Sequence, residues 1–165
     1  MWCKWHKRHR YLQLRWPKMT VVCHAQSHLF AGLFVSLGPS QDSTQFRPAL
    51  VQASRLVEFD LVLGDRAYDA EHNHRLAREE LGISSIIAVN ARGTRKWPTS
   101  PYRREMRRKF NQEIYGQRWQ VESSFSRHKR RFGSWLSARR WSRQVDECMY
   151  RVLTHNLSIL AAYVS

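Results

Sequence analysis

The chain has 165 residues, 42% of them hydrophobic, which predicts one folded domain with a buried core. Its 28 Lys and Arg against 13 Asp and Glu give a net charge of +15, which favours nucleic acid as partner over an anionic membrane surface. The three cysteines form no C-x-x-C pair, so the sequence indicates neither a zinc site nor a disulfide framework, and reduced thiols are expected. No apolar run is long enough for a membrane span, and the basic N-terminus lacks the apolar region of a secretory signal.

Residues 1–18 form a basic segment that we interpret as an N-terminal arm preceding a domain over residues 19–165. The arm carries six Lys and Arg and no acid, interleaved with aromatic side chains. Such a mixture suits the backbone and the bases of a nucleic acid. The alternative, which stays open, is that the arm is an edge piece of a larger protein.

The sequence of this domain predicts alternating strands and helices. Strands are predicted at residues 19–24, 28–36, 59–64 and 84–89. Helices are predicted at residues 43–56, 70–81, 110–132 and 145–164. A hairpin turn at residues 25–27 joins the first two strands, and helices between the later strands imply parallel pairing with crossover connections.

Two of these helices carry further expectations. Asp69 is expected to be the N-cap of the helix that begins at Ala70. The last helix has a regular apolar face that is expected to pack in the core. This face consists of Val145, Cys148, Met149, Val152, Leu153, Leu157 and Leu160.

Residues 91–109 are predicted to be a basic loop inserted into the domain, with eight Lys and Arg and one Glu. We interpret this loop as a DNA-contacting insertion, with a solvated charged loop as the alternative. Trp97 is expected either to stack on an unpaired base or to pack on the domain. The expected DNA-contacting cations are Arg103, Arg104, Arg107 and Arg108.

The stretch 115–129 has Tyr115, Arg118, Glu122 and Lys129 at steps of three, four and seven residues, so all four project from nearly one side of a helix. One carboxylate among cations suits phosphate chemistry, in which the carboxylate holds a metal and the cations hold the polyanion. The alternative is a solvated basic helix with a single Arg118–Glu122 ion pair.

These four residues resemble the Y-R-E-K signature of the DDE transposases of bacterial insertion sequences, and the following R-R-F-G, residues 130–133, is similar to that family as well. The resemblance implies an RNase H-like α/β fold: a mixed sheet with helices on both faces and a C-terminal helical pair. It implies DNA transposition, in which element ends are cleaved and joined to target DNA with Mg²⁺ or Mn²⁺ in a two-metal site. It also implies DNA contacts by Tyr115, Arg118, Lys129, Arg130 and Arg131.

The same resemblance implies the metal-binding acids. Asp65, in L-V-L-G-D-R-A-Y-D, resembles the second catalytic Asp of the family, and Glu122 resembles its third acid. For Asp65, a strand-end cap is the alternative. The first Asp position holds His24, and a neutral imidazole is a poor substitute for an anionic oxygen that bridges two Mg²⁺ ions. We therefore hypothesise that activity is impaired, with Asp42 as a weak replacement.

Two other functions stay open: a non-catalytic DNA-binding remnant of a transposase, and an RNase H-like nuclease without strand transfer. The expected partner is double-stranded DNA, both element ends and target, with a homo-oligomer formed on DNA and no membrane. The expected location is the bacterial cytoplasm, with nucleoid association when bound. The resemblance covers residues 16–160, and relatives carry a further N-terminal part, so we expect a copy truncated at its N-terminus.

Overall fold

A computed structural model describes residues 16–38, 40–90 and 97–164. The strands are β1 (Pro17–Cys23), β2 (Phe30–Leu37), β3 (Leu61–Gly64) and β4 (Ser84–Ile87). The helices are α1 (Asp42–Ser54), α2 (Glu71–Arg75), α3 (Pro101–Arg108), α4 (Gln112–Gly116), α5 (Trp119–Phe132) and α6 (Trp141–Val164). The predicted strands and their hairpin are confirmed, with small shifts at the ends.

The first strand pair is an antiparallel hairpin covered by α1. β1 pairs with β2 from Pro17 opposite Leu37 onward, and the register shifts near Cys23. Gly32 lets α1 approach closely, because a Cβ there would collide with the backbone carbonyl of Ala49 and would lie 3.1 Å from the Cβ of Ala53. The hairpin therefore depends on a glycine for its contact with the helix.

The second strand pair is parallel and has the predicted crossover. β3 and β4 are joined by α2, which continues as a π-helical turn (Leu76–Glu80) and ends at Gly82 with a φ of 69°. Within the described ranges the four strands form two pairs rather than the expected single mixed sheet. Helix α1 packs on the hairpin and also shares a core with β3 and β4. That core consists of Phe46, Leu50, Val62, Leu76, Ala77, Ile83 and Ile87.

Two predicted segments differ from the structure. Part of the predicted loop 91–109 is the helix α3, because Pro101 suits the first helical turn and Met106 is buried. Residues 91–96 and most of the predicted arm, residues 1–15, lie outside the described residues. The predicted helix 110–132 is two helices, because α4 ends at Gly116 and i→i+3 hydrogen bonds lead from there into α5.

The last helix faces the core with a narrower stripe than predicted. Cys148, Val152 and Ile159 are buried. The prediction of core packing is wrong for four other members of the face, because the described residues cover only one side of α6. These exposed residues are Met149, Leu153, Leu157 and Leu160. Among the described helices, none combines the length and apolarity that crossing a bilayer requires.

Candidate active site

Asp65 lies at the carboxyl end of β3, as the strand pattern predicts. Its side chain is exposed, and its Oδ1 accepts the backbone N–H of Arg66 at 2.6 Å, so it caps the 3₁₀ turn Arg66–Tyr68. Asp65 therefore caps a turn at the end of its strand, and it also occupies the position expected of an active-site acid. Carboxyl ends of strands are where α/β folds place their ligand sites.

Three of the four signature residues form a connected row. The guanidinium of Arg118 lies 5.7 Å from the ring centre of Tyr115, and its Nη1 lies 2.7 Å from Oε1 of Glu122. The Arg118–Glu122 ion pair of the alternative interpretation is therefore present. Glu122 is still 62% exposed, so this pair leaves most of the carboxylate open to a ligand.

The structure brings Asp65 close enough to act electrostatically on this row. Burial raises the pKa of Tyr115, the charge of Arg118 opposes the rise, and the charge of Asp65 adds to it. For Arg118, desolvation would lower the pKa. The hydrogen bond to Glu122 and the charges of Tyr115, Glu122 and Asp65 outweigh it, so the pKa is raised. Arg118 is thus paired directly with Glu122, and the charge of Asp65 acts on it in the same direction.

His24 follows β1 in the tight hairpin turn. Its Nδ1 accepts the backbone N–H of Ser27 at 3.2 Å and lies 2.7 Å from the Ser27 Oγ. His24 thus offers an imidazole at this position rather than the anionic oxygens of an aspartate. In the parts of the chain that are described, no hydrogen bond or ion pair joins it to Asp65 or Glu122.

Ser124, two residues after Glu122, fixes the hairpin to α5. Its Oγ lies 3.4 Å from the Sγ of Cys23 and 3.1 Å from Nδ1 of His28, and it donates to the carbonyl of Gln120 at 2.9 Å. Burial raises the pKa of Cys23, and the hydrogen bond to Ser124 opposes this rise. The turn that carries His24 is therefore held against α5, which carries Glu122.

A groove of about 630 Å³ runs along α5 beside Glu122. Lys129 and Arg130 supply cations to it, and Trp135 contributes a ring that is 72% exposed. The backbone turns at Gly133, with a φ of 77°, and Trp135 packs over the space that a side chain there would occupy. Sequence reasoning missed Trp135, although its position shortly after R-R-F-G was a usable signal. Arg131 is exposed on α5 but does not line the groove.

The arginines of α3 do not form one free cationic face. Arg103 binds Asp69 through two bonds of 2.8 Å. Arg104 donates to the carbonyls of Pro98 and Thr99 at 3.4 Å and 2.8 Å.

Three arginines of α3 are exposed: Arg104, Arg107 and Arg108. The guanidinium of Arg107 lies 5.8 Å from the ring centre of Trp97, which is 58% exposed, and Arg108 is exposed beyond it. The expected cap role of Asp69 is wrong, because Ala70 is the N-cap of α2 and Asp69 is a buried ion-pair partner.

The donor set for a metal ion is incomplete in the described part of the chain. There, no three His, Cys, Asp or Glu side chains come together in a way that could hold an ion. Asp65 and Glu122 are the available acids, one bonded to a backbone N–H and the other to Arg118. His24 supplies no anionic oxygen, so these residues do not fit a two-metal site as they stand.

The comparison with known families gives one match. The family whose description is "Transposase DDE domain" matches residues 2–157, which is most of the chain. No curated protein and no solved structure matches it.

Proposed function

The chain belongs to the transposase DDE domain family, and from this premise we propose that it is the transposase of a bacterial insertion sequence of the Y-R-E-K type. The family assignment places it in DNA transposition, and the mixed α/β fold with its C-terminal helices is consistent with an RNase H-like transposase domain. The observation that carries the proposal is that Tyr115, Arg118 and Glu122 form a connected row, with Asp65 at the carboxyl end of β3.

The proposed reaction is cleavage at the element ends followed by strand transfer into target DNA. Asp65 and Glu122 are the proposed catalytic acids. DDE transposases generally use a divalent metal ion, and Mg²⁺ or Mn²⁺ would stabilise charge on the phosphate when bound. The described donors do not fit a two-metal site. We therefore assign to the chain's own cations the role of orienting DNA phosphate. Tyr115 and Arg118 are the proposed contacts nearest the two acids.

The proposed DNA-binding surface follows the groove. Lys129 and Arg130 would bind phosphate, with Arg131 next to them on α5, and Trp135 would stack on a base. Arg107 and Arg108 of α3 would add phosphate contacts, since their side chains are exposed.

The rest of the basic segment has a smaller proposed share in DNA binding. Arg104 and Trp97 would take part only after exchanging their present neighbours, the carbonyls of Pro98 and Thr99 and the guanidinium of Arg107. Arg103 is excluded from the proposed surface, because Asp69 occupies its guanidinium.

A second function, DNA binding without catalysis, is favoured by His24 and by the incomplete donor set. His24 occupies its turn much as an aspartate would, since its Nδ1 accepts the N–H of Ser27 three residues on, as a capping Asp carboxylate does. His24→Asp should therefore keep the turn and add the missing anionic oxygens. It changes the chemistry of the site with little change in its scaffold.

The deciding experiment is a cleavage and strand-transfer assay on DNA carrying the inverted repeats that flank the gene, with Mg²⁺ and with Mn²⁺. We expect the natural chain to bind DNA with little cleavage, and H24D to cleave and join. The matched control is H24D/E122Q, which should again bind without cutting. Efficient cleavage by the natural chain would refute the impairment, and hydrolysis by H24D without joining would favour a nuclease. If H24D folds, binds DNA and cuts nothing, the non-catalytic function is the better one.

We further propose double-stranded DNA as partner, a homo-oligomer assembled on DNA, and a place in the bacterial cytoplasm with nucleoid association. Light scattering of the protein with and without a duplex tests the second of these proposals. A molecular mass that stays monomeric on saturating DNA would contradict it.

A further inference from the structure

Asp69 is buried at the end of the short turn that follows β3. Its side chain has an exposed fraction of 0%. Oδ1 accepts Nε–H of Arg103 at 2.8 Å, while Oδ2 accepts Nη2–H of Arg103 at 2.8 Å and the backbone N–H of Asn90 at 2.7 Å. The hydrogen bond to Asp69 raises the pKa of Arg103. Two parallel bonds fix the direction of the guanidinium as well as its distance.

The two partners of Asp69 lie on either side of residues 91–102, the first part of the predicted basic loop. Asn90 is 21 residues beyond Asp69 and comes just before the segment, and Arg103 is 34 residues beyond it in the first turn of α3. One carboxylate therefore holds both flanks of residues 91–102. The flanks are fixed near each other by this side chain, whatever path the segment between them takes.

Glu71 strengthens the second flank. Its carboxylate accepts the backbone N–H groups of Tyr102 and Arg103, each at 3.2 Å. These groups lack partners within α3, and the N-cap Ser100 makes no side-chain cap bond, so Glu71 caps the helix from outside. Desolvation alone would raise the pKa of Glu71, but the hydrogen bonds it receives from Tyr102, Ser100 and Arg103 outweigh it and lower the pKa.

Asp69 is also tied to Asp65. The N–H of Tyr68 donates to the carbonyl of Asp65 at 2.9 Å, and the N–H of Asp69 donates to the carbonyl of Arg66 at 3.2 Å. Tyr68 packs on the core, with its ring centre 5.8 Å from that of Phe46. The turn between the two aspartates is therefore a short, anchored spacer.

We propose that Asp69 is a positioning residue that fastens α3, through Arg103, and the backbone at Asn90 beside the strand end that carries Asp65. The proposal deepens the proposed function, because it takes the cations of α3 to bind DNA phosphate. According to this proposal, Arg103 supports DNA binding without contacting DNA, and Arg107 and Arg108 make the phosphate contacts. The ion pair of Arg78 with Glu105, at 2.8 Å, keeps α3 attached when Asp69 is lost.

The first test needs no DNA. Amide hydrogen exchange is measured over residues 101–109 in the natural chain, in D69N and in E80Q. E80Q is the matched control, because it removes a carboxylate from another arginine pair, with Arg47. We expect D69N to speed exchange in this stretch by about tenfold or more and to leave the strand core at residues 61–64 unchanged. E80Q should leave both stretches unchanged.

The second test measures whether the Asp69–Arg103 contact affects DNA binding. We expect D69N and R103Q each to weaken duplex binding by about three- to tenfold, and the double variant to be no weaker than either single one. R107Q is the contrasting control, since it should weaken binding while exchange over residues 101–109 stays natural. Should D69N fail to fold, R103K replaces it, because it keeps the charge and removes the two-point contact.

Two results would overturn the proposal: unchanged exchange over residues 101–109 in D69N, or losses in DNA affinity that add in the double variant. Additive losses would mean that Arg103 binds DNA itself. Failure of the proposed function looks different. If the natural chain binds no DNA, that function falls, and the exchange experiment still decides whether Asp69 fastens α3.

Discussion

Arg118 and Glu122 form an ion pair on one side of α5, with 2.7 Å between Nη1 and Oε1. A candidate catalytic acid is thereby oriented by a cation of its own signature. We expect E122Q to abolish any strand cleavage while strengthening DNA binding, because a negative charge is removed beside two groove cations. The pair is exposed, so the free energy of unfolding should change by less than about 1 kcal/mol.

The measurements are cleavage, duplex affinity and urea unfolding of E122Q, with D146N as control. Asp146 pairs with Arg143 on the exposed surface of α6, at 3.4 Å. Weaker DNA binding by E122Q would mean that Glu122 does not lie beside the bound phosphates.

Lys129 and Arg130 should contribute to the salt dependence of DNA binding. Each phosphate contact contributes about 0.9 to the slope of log affinity against log salt concentration. K129Q/R130Q should therefore flatten that slope by roughly 2 for duplex DNA. R47Q is the control, because Arg47 is already paired with Glu80 at 2.6 Å. An unchanged slope in the double variant would remove the groove from the proposed DNA-binding surface.

Trp135 should matter for single-stranded DNA more than for folding. Stacking of a base on an aromatic ring contributes about 1–3 kcal/mol, so W135A should weaken binding of a single-stranded oligonucleotide by about five- to a hundredfold. W135F should keep most of the affinity. W119A is the control, since Trp119 is also exposed on α5 but does not line the groove. Equal losses in both alanine variants would contradict a specific role for Trp135.

His128 should make the protein less stable in mild acid. Burial, followed by the charges of His155, Arg151 and Lys129, lowers its pKa from 6.5 to about 4. The unfolded chain takes up a proton near pH 6.5 that the folded chain refuses until about pH 4, so stability is lost as the pH falls through that window. Between pH 7 and pH 5 the expected loss is roughly 2 kcal/mol.

Urea unfolding at both pH values checks this expectation, with H128F and H72Q compared. H128F removes the titrating ring from a cluster that is already aromatic, with Phe30, Phe125 and Phe132 as neighbours. It should lose the part of the pH dependence that His128 contributes and keep the part from His74 and His155, whose pKa values burial also lowers, whereas H72Q, on an exposed position, should keep all of it. Equal pH dependence in all three proteins would show that His128 is not the cause.

The positions of Asp65 and Glu122 could be predicted from the sequence because they depend on local pattern. A short apolar run ends just before Asp65, and helical spacing groups Glu122 with Arg118. Both signals act within a few residues of the side chain concerned. Asp69 shows the limit of such signals, since its partner Arg103 is 34 residues away and no local rule selects it from the other arginines of the segment.

The buried side of α6 was also beyond local reasoning. The helix is apolar around more than half of its circumference, so periodicity allowed either Met149 and Leu153 or Cys148 and Val152 to face the core. Contacts with the hairpin decide the matter: Asn156 bonds both backbone groups of Phe30, and Nε2 of His155 bonds the carbonyl of His28. The buried side of α6 is therefore set by its tertiary contacts rather than by its composition.

The structure of the hairpin turn has a consequence for mutation at position 24. Its backbone is held by bonds between the main chains of His24, His28 and Leu29, and by Ser124. The side chain at position 24 can therefore change without rebuilding the turn. Codons for histidine and aspartate differ only in their first base. A single base change therefore converts His24 to aspartate, in a turn whose main-chain bonds are already in place.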